Sequence, residues 1–224
     1  HIPSTKNFVS LVNQLPDNIV RFLLGLITTR LCEKPFLQDY DTYKQIKSHL
    51  GDCLLQKPSM SEGEVEIIKK YLTKESVMLE WGSGYSTPFF GKFVKRLHSI
   101  EHDFSWALRM HMYNTLLSSE NLTCYFIPQQ SETGKKEEDF KNYIEAPKTL
   151  KEKHNIEKYD AVFIDGRARE ICAKSVLPYL SEDSVVIIHD FKDRERYWVV
   201  FEWYDEVERY EEGNSLIVLK KKSK

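Results

Sequence analysis

The fold is decided by one stretch of the sequence, Val77-Met78-Leu79-Glu80-Trp81-Gly82-Ser83-Gly84-Tyr85-Ser86-Thr87. Its first half is apolar, which predicts a buried strand, and that strand ends in an acidic residue before a glycine turn. Gly82 and Gly84 let the backbone turn tightly and approach a ligand without a Cβ in the way. Because the amides that open the following helix are unpaired donors at its positive end, the stretch indicates a loop that binds a nucleotide cofactor.

A second predicted strand, 96–100, agrees with this interpretation. It leads into Glu101, which lies nineteen positions after Gly82. In a doubly wound fold, an acidic residue about 20 positions after the glycine loop binds the hydroxyls of a ribose. The third glycine of the dinucleotide pattern is replaced by Thr87, which argues against NAD or FAD.

These motifs, in register over residues 60–221, resemble those of the class I S-adenosylmethionine-dependent methyltransferases. The first motif of that family typically reads Glu-x-Gly-x-Gly-x-Ser/Thr, and its second strand ends in the acid that binds ribose. The resemblance implies that the cofactor is S-adenosylmethionine. It also implies a set of cofactor-binding residues: Glu80, Gly82, Ser83, Gly84, Ser86, Thr87, Glu101, His102, Trp106 and Asp165.

The remainder of this region alternates apolar strands with helical patterns. Strands are predicted at 122–127, 161–164 and 185–188, and the alternation indicates parallel strands with crossover helices. Two further strands, 206–210 and 215–220, are predicted to close the chain as a hairpin. The expected fold is α/β, with a doubly wound, seven-stranded Rossmann-like sheet and an antiparallel C-terminal hairpin.

We predict two parts along the chain, a helical N-terminal lead-in at 1–60 and a methyltransferase domain at 61–224. Ser61 and Glu64 have the spacing of a capping box, which predicts a helix through Leu72. Within the domain, residues 129–158 are an insertion that we expect to be either a solvated decoration or a mobile lid.

In the lead-in, the apolar stretch 19–31 is too short and too interrupted for a membrane span, so an amphipathic helix is predicted there. Because the chain begins at His1, we expect it to be part of a longer, multidomain protein.

Charge and cysteine content limit the partners. The net charge of −2 gives no general attraction to nucleic acid or anionic membranes, so we expect a small-molecule or glycan acceptor and no nucleic acid. Four cysteines lack Cys-x-x-Cys spacing, which favours buried thiols over zinc or a redox pair. The compartment stays open between the cytoplasm, which we favour, and a secretory or Golgi lumen, where the sequon at Asn121 would matter.

Two more motifs end predicted strands at the edge where open parallel sheets bind ligands. The first delivers Asp165, with Arg167 and Arg169 just beyond it, and the second delivers His189 and Asp190. An acid here has an alternative role as a helix cap, and a histidine can be structural. Because adjacent strand ends bring them together, we predict that Asp165, His189 and Asp190 form a catalytic cluster.

This pair of motifs is similar to those of macrocin-type sugar O-methyltransferases and plant glucuronoxylan O-methyltransferases and, more distantly, of the caffeoyl-CoA type. The resemblance implies that Asp165 and Asp190, with His189 as a third ligand or a base, bind a divalent cation that holds the acceptor hydroxyls. Oxygen ligands with at most one imidazole suit Mg²⁺ or Mn²⁺.

The expected activity is therefore S-adenosylmethionine-dependent O-methylation of a sugar or glycan hydroxyl. Arg167 and Arg169 are expected to bind an acidic acceptor such as a uronate or a phosphate. Two alternatives stay open: methylation of a catechol-like small molecule, and a non-catalytic interaction domain of a longer protein with 19–31 as its partner surface.

Overall fold

The computed structural model describes residues 57–223 apart from 105, 108–109, 111–113, 115–119 and 214. Almost all of the predicted lead-in, including 19–31, therefore lies outside the described residues. The strands are β1 Val77–Trp81, β2 Arg96–Glu101, β3 Leu122–Phe126, β4 Tyr159–Ile164, β5 Leu180–His189, β6 Tyr204–Tyr210 and β7 Leu216–Lys221. The α-helices are α1 Glu62–Lys70, α2 Ser86–Gly91, α3 Lys136–Asp139, α4 Lys141–Ile144, α5 Ala146–His154 and α6 Arg169–Val176, and 3₁₀ segments follow at Leu177–Tyr179 and Glu195–Glu202.

The seven strands form one sheet in the order β3-β2-β1-β4-β5-β7-β6. Strands β1 to β5 are parallel, and β7 is antiparallel to both β5 and β6. The order reverses between β1 and β4, which is the position where open α/β sheets bind ligands. The predicted α/β fold with its antiparallel C-terminal hairpin is confirmed.

The central strands are apolar because helices and loops cover both of their faces. Met78, Leu79 and Trp81 of β1 are fully buried, and so are Val162 and Phe163 of β4. The prediction for β5 is too short, since the strand begins at Leu180 and includes the exposed Glu182 and Asp183, which hide it from an apolar pattern.

Backbone hydrogen bonds continue beyond the ends of the central strands. The Gly82 amide donates to the Ile100 carbonyl at 2.9 Å, and the Asp165 amide donates to the Trp81 carbonyl at 2.8 Å. Three strand ends are thereby held side by side. One edge of the sheet consequently carries Gly82 after β1, Glu101 at the end of β2 and Asp165 after β4.

Helix α1 begins with the predicted capping box. The Ser61 amide donates to Glu64 Oε2 at 2.7 Å, and the Glu64 amide donates to Ser61 Oγ at 3.3 Å. The helix ends at Lys70 rather than at the predicted Leu72, because the Tyr71 amide already turns back to the carbonyls of the last turn.

The segment 129–158 packs against the sheet. Trp81 Nε1 donates to the Tyr143 carbonyl at 2.9 Å, and Tyr143, Leu150 and Ile156 are buried in the core. This part of the segment is therefore not a solvated decoration, and a mobile lid stays a prediction. Its apolar residues are few, but they lie together on the buried side, which composition alone does not reveal.

Candidate active site

A cleft of about 400 Å³ opens where β1, β2 and β4 end. Its walls are the glycine loop, the end of β2 and the turn after β4. The predicted site residues that line it are Gly82, Ser83, Gly84, Ser86, Glu101, His102, Trp106, Asp165, Arg167 and Arg169. Sequence reasoning missed Ser59 and Met60, which lie in the breaker before α1 and also line the cleft.

The two glycines of the loop have different surroundings. Gly82 has a φ of +93°, and a Cβ there would lie 2.7 Å from the Gly166 amide nitrogen, so the fold itself requires glycine. A Cβ on Gly84 would meet nothing closer than Ser86 Oγ at 3.9 Å. The protein leaves open space at Gly84, on the side where the cleft lies.

Glu80 lies beneath the loop and is fully buried. Its carboxylate accepts hydrogen bonds from Ser86 Oγ at 2.8 Å and from Thr87 Oγ1 and Ser99 Oγ, both at 2.6 Å. Burial raises the pKa of Glu80 to about 7, although these three hydroxyls oppose the shift. Neither Glu80 nor Thr87 lines the cleft, so the expectation that they bind the cofactor directly is wrong, and both instead hold the loop in place.

Glu101 ties the glycine loop to β2. The Ser83 amide donates to Glu101 Oε2 at 2.6 Å, and the amides of His102 and Asp103 donate to Oε1 at 2.8 and 2.6 Å. The side chain of Trp106 meets that of Tyr85 edge-on, with ring centroids 5.3 Å apart. The carboxylate is held in place by three backbone amides, and the roles of Glu101, His102 and Trp106 toward a ribose and its base stay predictions.

The predicted acceptor-side cluster is assembled at the ends of β4 and β5. His189 Nδ1 lies 3.1 Å from Asp165 Oδ1 and 3.6 Å from Asp190 Oδ1. The other ring nitrogen, Nε2, lies 3.2 Å from Glu64 Oε1 of α1. Glu64 is only 1% exposed and was not predicted as a site residue. The capping-box pattern predicts where α1 begins, but it does not indicate which group Glu64 Oε1 faces.

His189 is buried between these carboxylates. Burial lowers its pKa, but the hydrogen bond that Nδ1 donates to Asp165 and the charges of Asp165, Asp190 and Glu64 together raise it above its usual value. Nδ1 forms a hydrogen bond with Asp165, whereas Nε2 and Glu64 Oε1 face each other 3.2 Å apart and neither atom has a hydrogen-bond partner in the described part of the chain. This geometry lets His189 position Asp165, and its role as a base stays a prediction.

Arg169 bridges the two aspartates. Its NH2 nitrogen lies 3.1 Å from Asp165 Oδ1 and 3.0 Å from Asp190 Oδ2, Nε donates to the Gly166 carbonyl at 3.0 Å, and NH1 donates to the His189 carbonyl. Each of its nitrogens already has a partner within the protein, and its binding of the acceptor stays a prediction. Arg167 is exposed at the cleft, where its Nε lies 3.4 Å from His102 Nε2, and its role stays a prediction.

The same bridge bears on the predicted metal. One ligand atom each from Asp165, His189 and Asp190 lies within 4.8 Å of the others, which is close enough for a shared ion. The guanidinium of Arg169, however, already neutralises both carboxylates from the position between them. In this arrangement the three residues do not fit a divalent cation.

Solved structures of methyltransferases share this architecture. A methyltransferase-like protein from Silicibacter pomeroyi has a TM-score of 0.59 at 20% identity, over 75% of this chain and 90% of that one. A putative methyltransferase from Streptococcus mutans, in complex with SAH, has a TM-score of 0.51 at 11% identity, over 74% and 98%. An rRNA methylase from Streptococcus thermophilus has a TM-score of 0.51 at 14% identity, over 75% and 98%. The chain has the class I methyltransferase fold.

No family model and no curated protein matches the sequence. Similarity at 20% identity or less shows a shared fold and not a shared substrate. Because one neighbour is an rRNA methylase, the exclusion of nucleic acid, which rested on net charge, stays a prediction. In the described part of the chain, no helix combines the length and apolar character that crossing a bilayer requires.

Proposed function

We propose that this protein is an S-adenosylmethionine-dependent O-methyltransferase. The observation that carries the proposal is the cleft itself, in which the open side of Gly84 and the fixed carboxylate of Glu101 lie together at the reversal of strand order. The fold shared with the Streptococcus mutans protein, which was solved with SAH, supports the choice of cofactor.

The chain's own residues have distinct tasks in binding. The backbone from Gly82 to Gly84 approaches the cofactor where a side chain would obstruct it, and Glu101 accepts hydrogen bonds from the ribose. His102 and Trp106 both line the cleft, and we assign one or the other to the adenine. When bound, S-adenosylmethionine supplies an electrophilic methyl group on a sulfonium.

Asp165 is the residue that we assign to the proton of the acceptor hydroxyl. It lines the cleft, and both of its recorded side-chain contacts, with His189 and Arg169, are made by Oδ1. Arg169 and His189 hold the carboxylate in one orientation, which is what a base needs in order to meet a positioned hydroxyl. Asp165 would take the proton of the hydroxyl, whose oxygen would accept the methyl group that bound S-adenosylmethionine supplies.

A sugar or glycan hydroxyl is the acceptor that we favour. The support is the similarity of the two strand-end motifs to sugar O-methyltransferases, together with a base for a weakly acidic hydroxyl. We further infer that Arg169 supplies the positive charge that a divalent ion supplies in metal-assisted relatives.

Calorimetric titration with S-adenosylhomocysteine tests the proposal before any acceptor is known. We expect saturable binding to the wild type and at least about tenfold weaker binding to Glu101→Gln, which removes a charged hydrogen-bond acceptor of similar size. Glu75→Gln changes an exposed carboxylate outside the cleft in the same way and should bind as the wild type does. A folded wild type that does not bind would instead favour an interaction domain.

A further inference from the structure

A second cavity, of about 900 Å³, opens beyond the carboxyl end of β5. Its walls include three acidic side chains, the cations Lys192, Arg194, Arg196 and Arg209, and the indole of Trp198. None of these residues belongs to the site predicted from the sequence. The cavity is larger than the cleft at the glycine loop and lies at the same edge of the sheet.

A chain of ion pairs joins the two cavities. Arg169, which contacts Asp165 in the first cleft, contacts Asp190 Oδ2 at 3.0 Å, and the same oxygen lies 3.4 Å from NH2 of Arg194 in the second cavity. The second cavity therefore begins one ion pair away from the carboxylate that faces the cofactor cleft.

Two guanidinium groups converge in this cavity on a single phenol oxygen. Arg194 NH1 lies 3.2 Å and Arg196 NH2 lies 3.3 Å from the hydroxyl of Tyr197, and both groups lie over its ring at 5.7 and 5.0 Å from the centroid. Like charges held this close repel each other unless an anion lies near both. Arg194 has Asp190 nearby, whereas Arg196 forms no ion pair with any carboxylate in the described part of the chain.

The other cations differ in how far they are neutralised. Arg209 donates two hydrogen bonds to the carboxylate of Glu206, which neutralises its positive charge, so Arg209 forms part of the cavity wall without attracting an anion. Lys192 reaches only the backbone carbonyl of Glu211, at 3.5 Å. Like Lys192 and Arg196, Trp198 lines the cavity, and its indole, which is 57% exposed, offers a flat apolar surface to a ligand.

We propose that this cavity holds an oxyanion, a carboxylate or a phosphate, carried by the molecule whose hydroxyl is methylated. Arg196 and Lys192 bind the oxyanion, the planar fork of Arg196 matching two of its oxygens, and Trp198 covers the adjoining part of the acceptor. The assignment rests on the proposed methyltransferase function and narrows its acceptors to anionic ones.

The test measures anion binding and cofactor binding separately on the full chain. Inorganic phosphate and acetate are each titrated by calorimetry at constant ionic strength, and S-adenosylhomocysteine is titrated in the same samples. The variants are Arg196→Gln and, as a matched control, Arg96→Gln, which removes the same charge from an exposed position at the opposite end of β2.

We expect Arg196→Gln to weaken binding of the preferred anion about tenfold or more, with cofactor affinity unchanged, and Arg96→Gln to change neither. Stronger binding of phosphate identifies a phosphorylated acceptor, and stronger binding of acetate identifies a carboxylated one. A protein that binds S-adenosylhomocysteine but neither anion, or that binds anions equally well after Arg196→Gln, overturns the inference.

Two further outcomes separate this inference from the broader proposal. The protein could bind anions in a way that depends on Arg196 and yet not bind S-adenosylhomocysteine. That result would support the anion site and contradict the proposed methyltransferase function. Titration with single-stranded oligouridylates of increasing length adds the last outcome. If the affinity rises with the length of the oligouridylate and is lower for Arg196→Gln, the cavity binds nucleic acid, and the inference of a small anionic acceptor is overturned.

Discussion

The cofactor side and the acceptor side of this site are built in different ways. The cofactor side comes from one continuous stretch, 77–87, and from Glu101 at the end of the neighbouring strand. The acceptor side joins Glu64 of α1 to residues that follow β4 and β5, more than 100 positions later in the chain. Local sequence therefore specifies the first side, whereas the packing of distant elements specifies the second.

The largest effect that we expect separates two glycines on the cofactor side. Gly82→Val should lower the free energy of unfolding by about 2–5 kcal/mol, because a side chain there combines an unfavourable φ with a clash against the backbone of Gly166. Urea unfolding measures it.

Gly84→Val is the matched variant. It should remain as stable as the wild type but lose S-adenosylhomocysteine binding, since the added side chain enters open space in the cleft. If Gly84→Val binds normally, the loop is only a turn and the cofactor side is wrongly assigned.

The next effect belongs to the acceptor side. Asp165→Asn should reduce turnover by roughly 10²-fold or more, because it removes the proposed base, and should leave S-adenosylhomocysteine affinity nearly intact. Single-turnover kinetics with an identified acceptor, alongside calorimetry, measures both quantities. Equal losses of turnover and of cofactor affinity would show that the two sides are not separable.

A smaller effect concerns pH and the buried histidine. The pKa of His189 is raised in the folded protein, so its ion pairs stabilise the fold fully below the unfolded value of about 6.5 and lose that contribution as the pH rises through the folded pKa. The difference in unfolding free energy between the wild type and His189→Gln should therefore fall as the pH rises above about 6.5.

Glu64→Gln sharpens this measurement. Without the charge of Glu64, which lies 3.2 Å from the ring, the fall should occur at lower pH. A difference that does not vary with pH would mean that His189 is neutral in the folded protein, which would favour its predicted role as a base.

The smallest expected effect is that of a chelator. Because Arg169 occupies the position between Asp165 and Asp190, turnover with an identified acceptor should be the same with and without EDTA. Loss of activity that is recovered with Mg²⁺ would show that a cation displaces the guanidinium, as the sequence-based prediction of a divalent metal requires.

The sequence predicted well wherever one physical constraint acts over a short stretch. The strand before Gly82, the capping box at Ser61 and the closing hairpin were all readable because periodicity and turn chemistry are local. The direct role of Glu80 in cofactor binding was predicted wrongly. An acid at a strand end can point into the cleft or beneath the loop, and the sequence does not distinguish the two.

The sequence by itself determined the class of fold, the glycine loop and the presence of acidic and basic residues at the strand ends. Only the tertiary structure decided their partners: Arg169 lies between two aspartates, Glu64 faces His189, and Arg196 lies beside Arg194. Backbone conformation follows from forces between near neighbours in the chain. The charge state and accessibility of a buried side chain depend instead on which distant groups packing brings within a few ångströms of it.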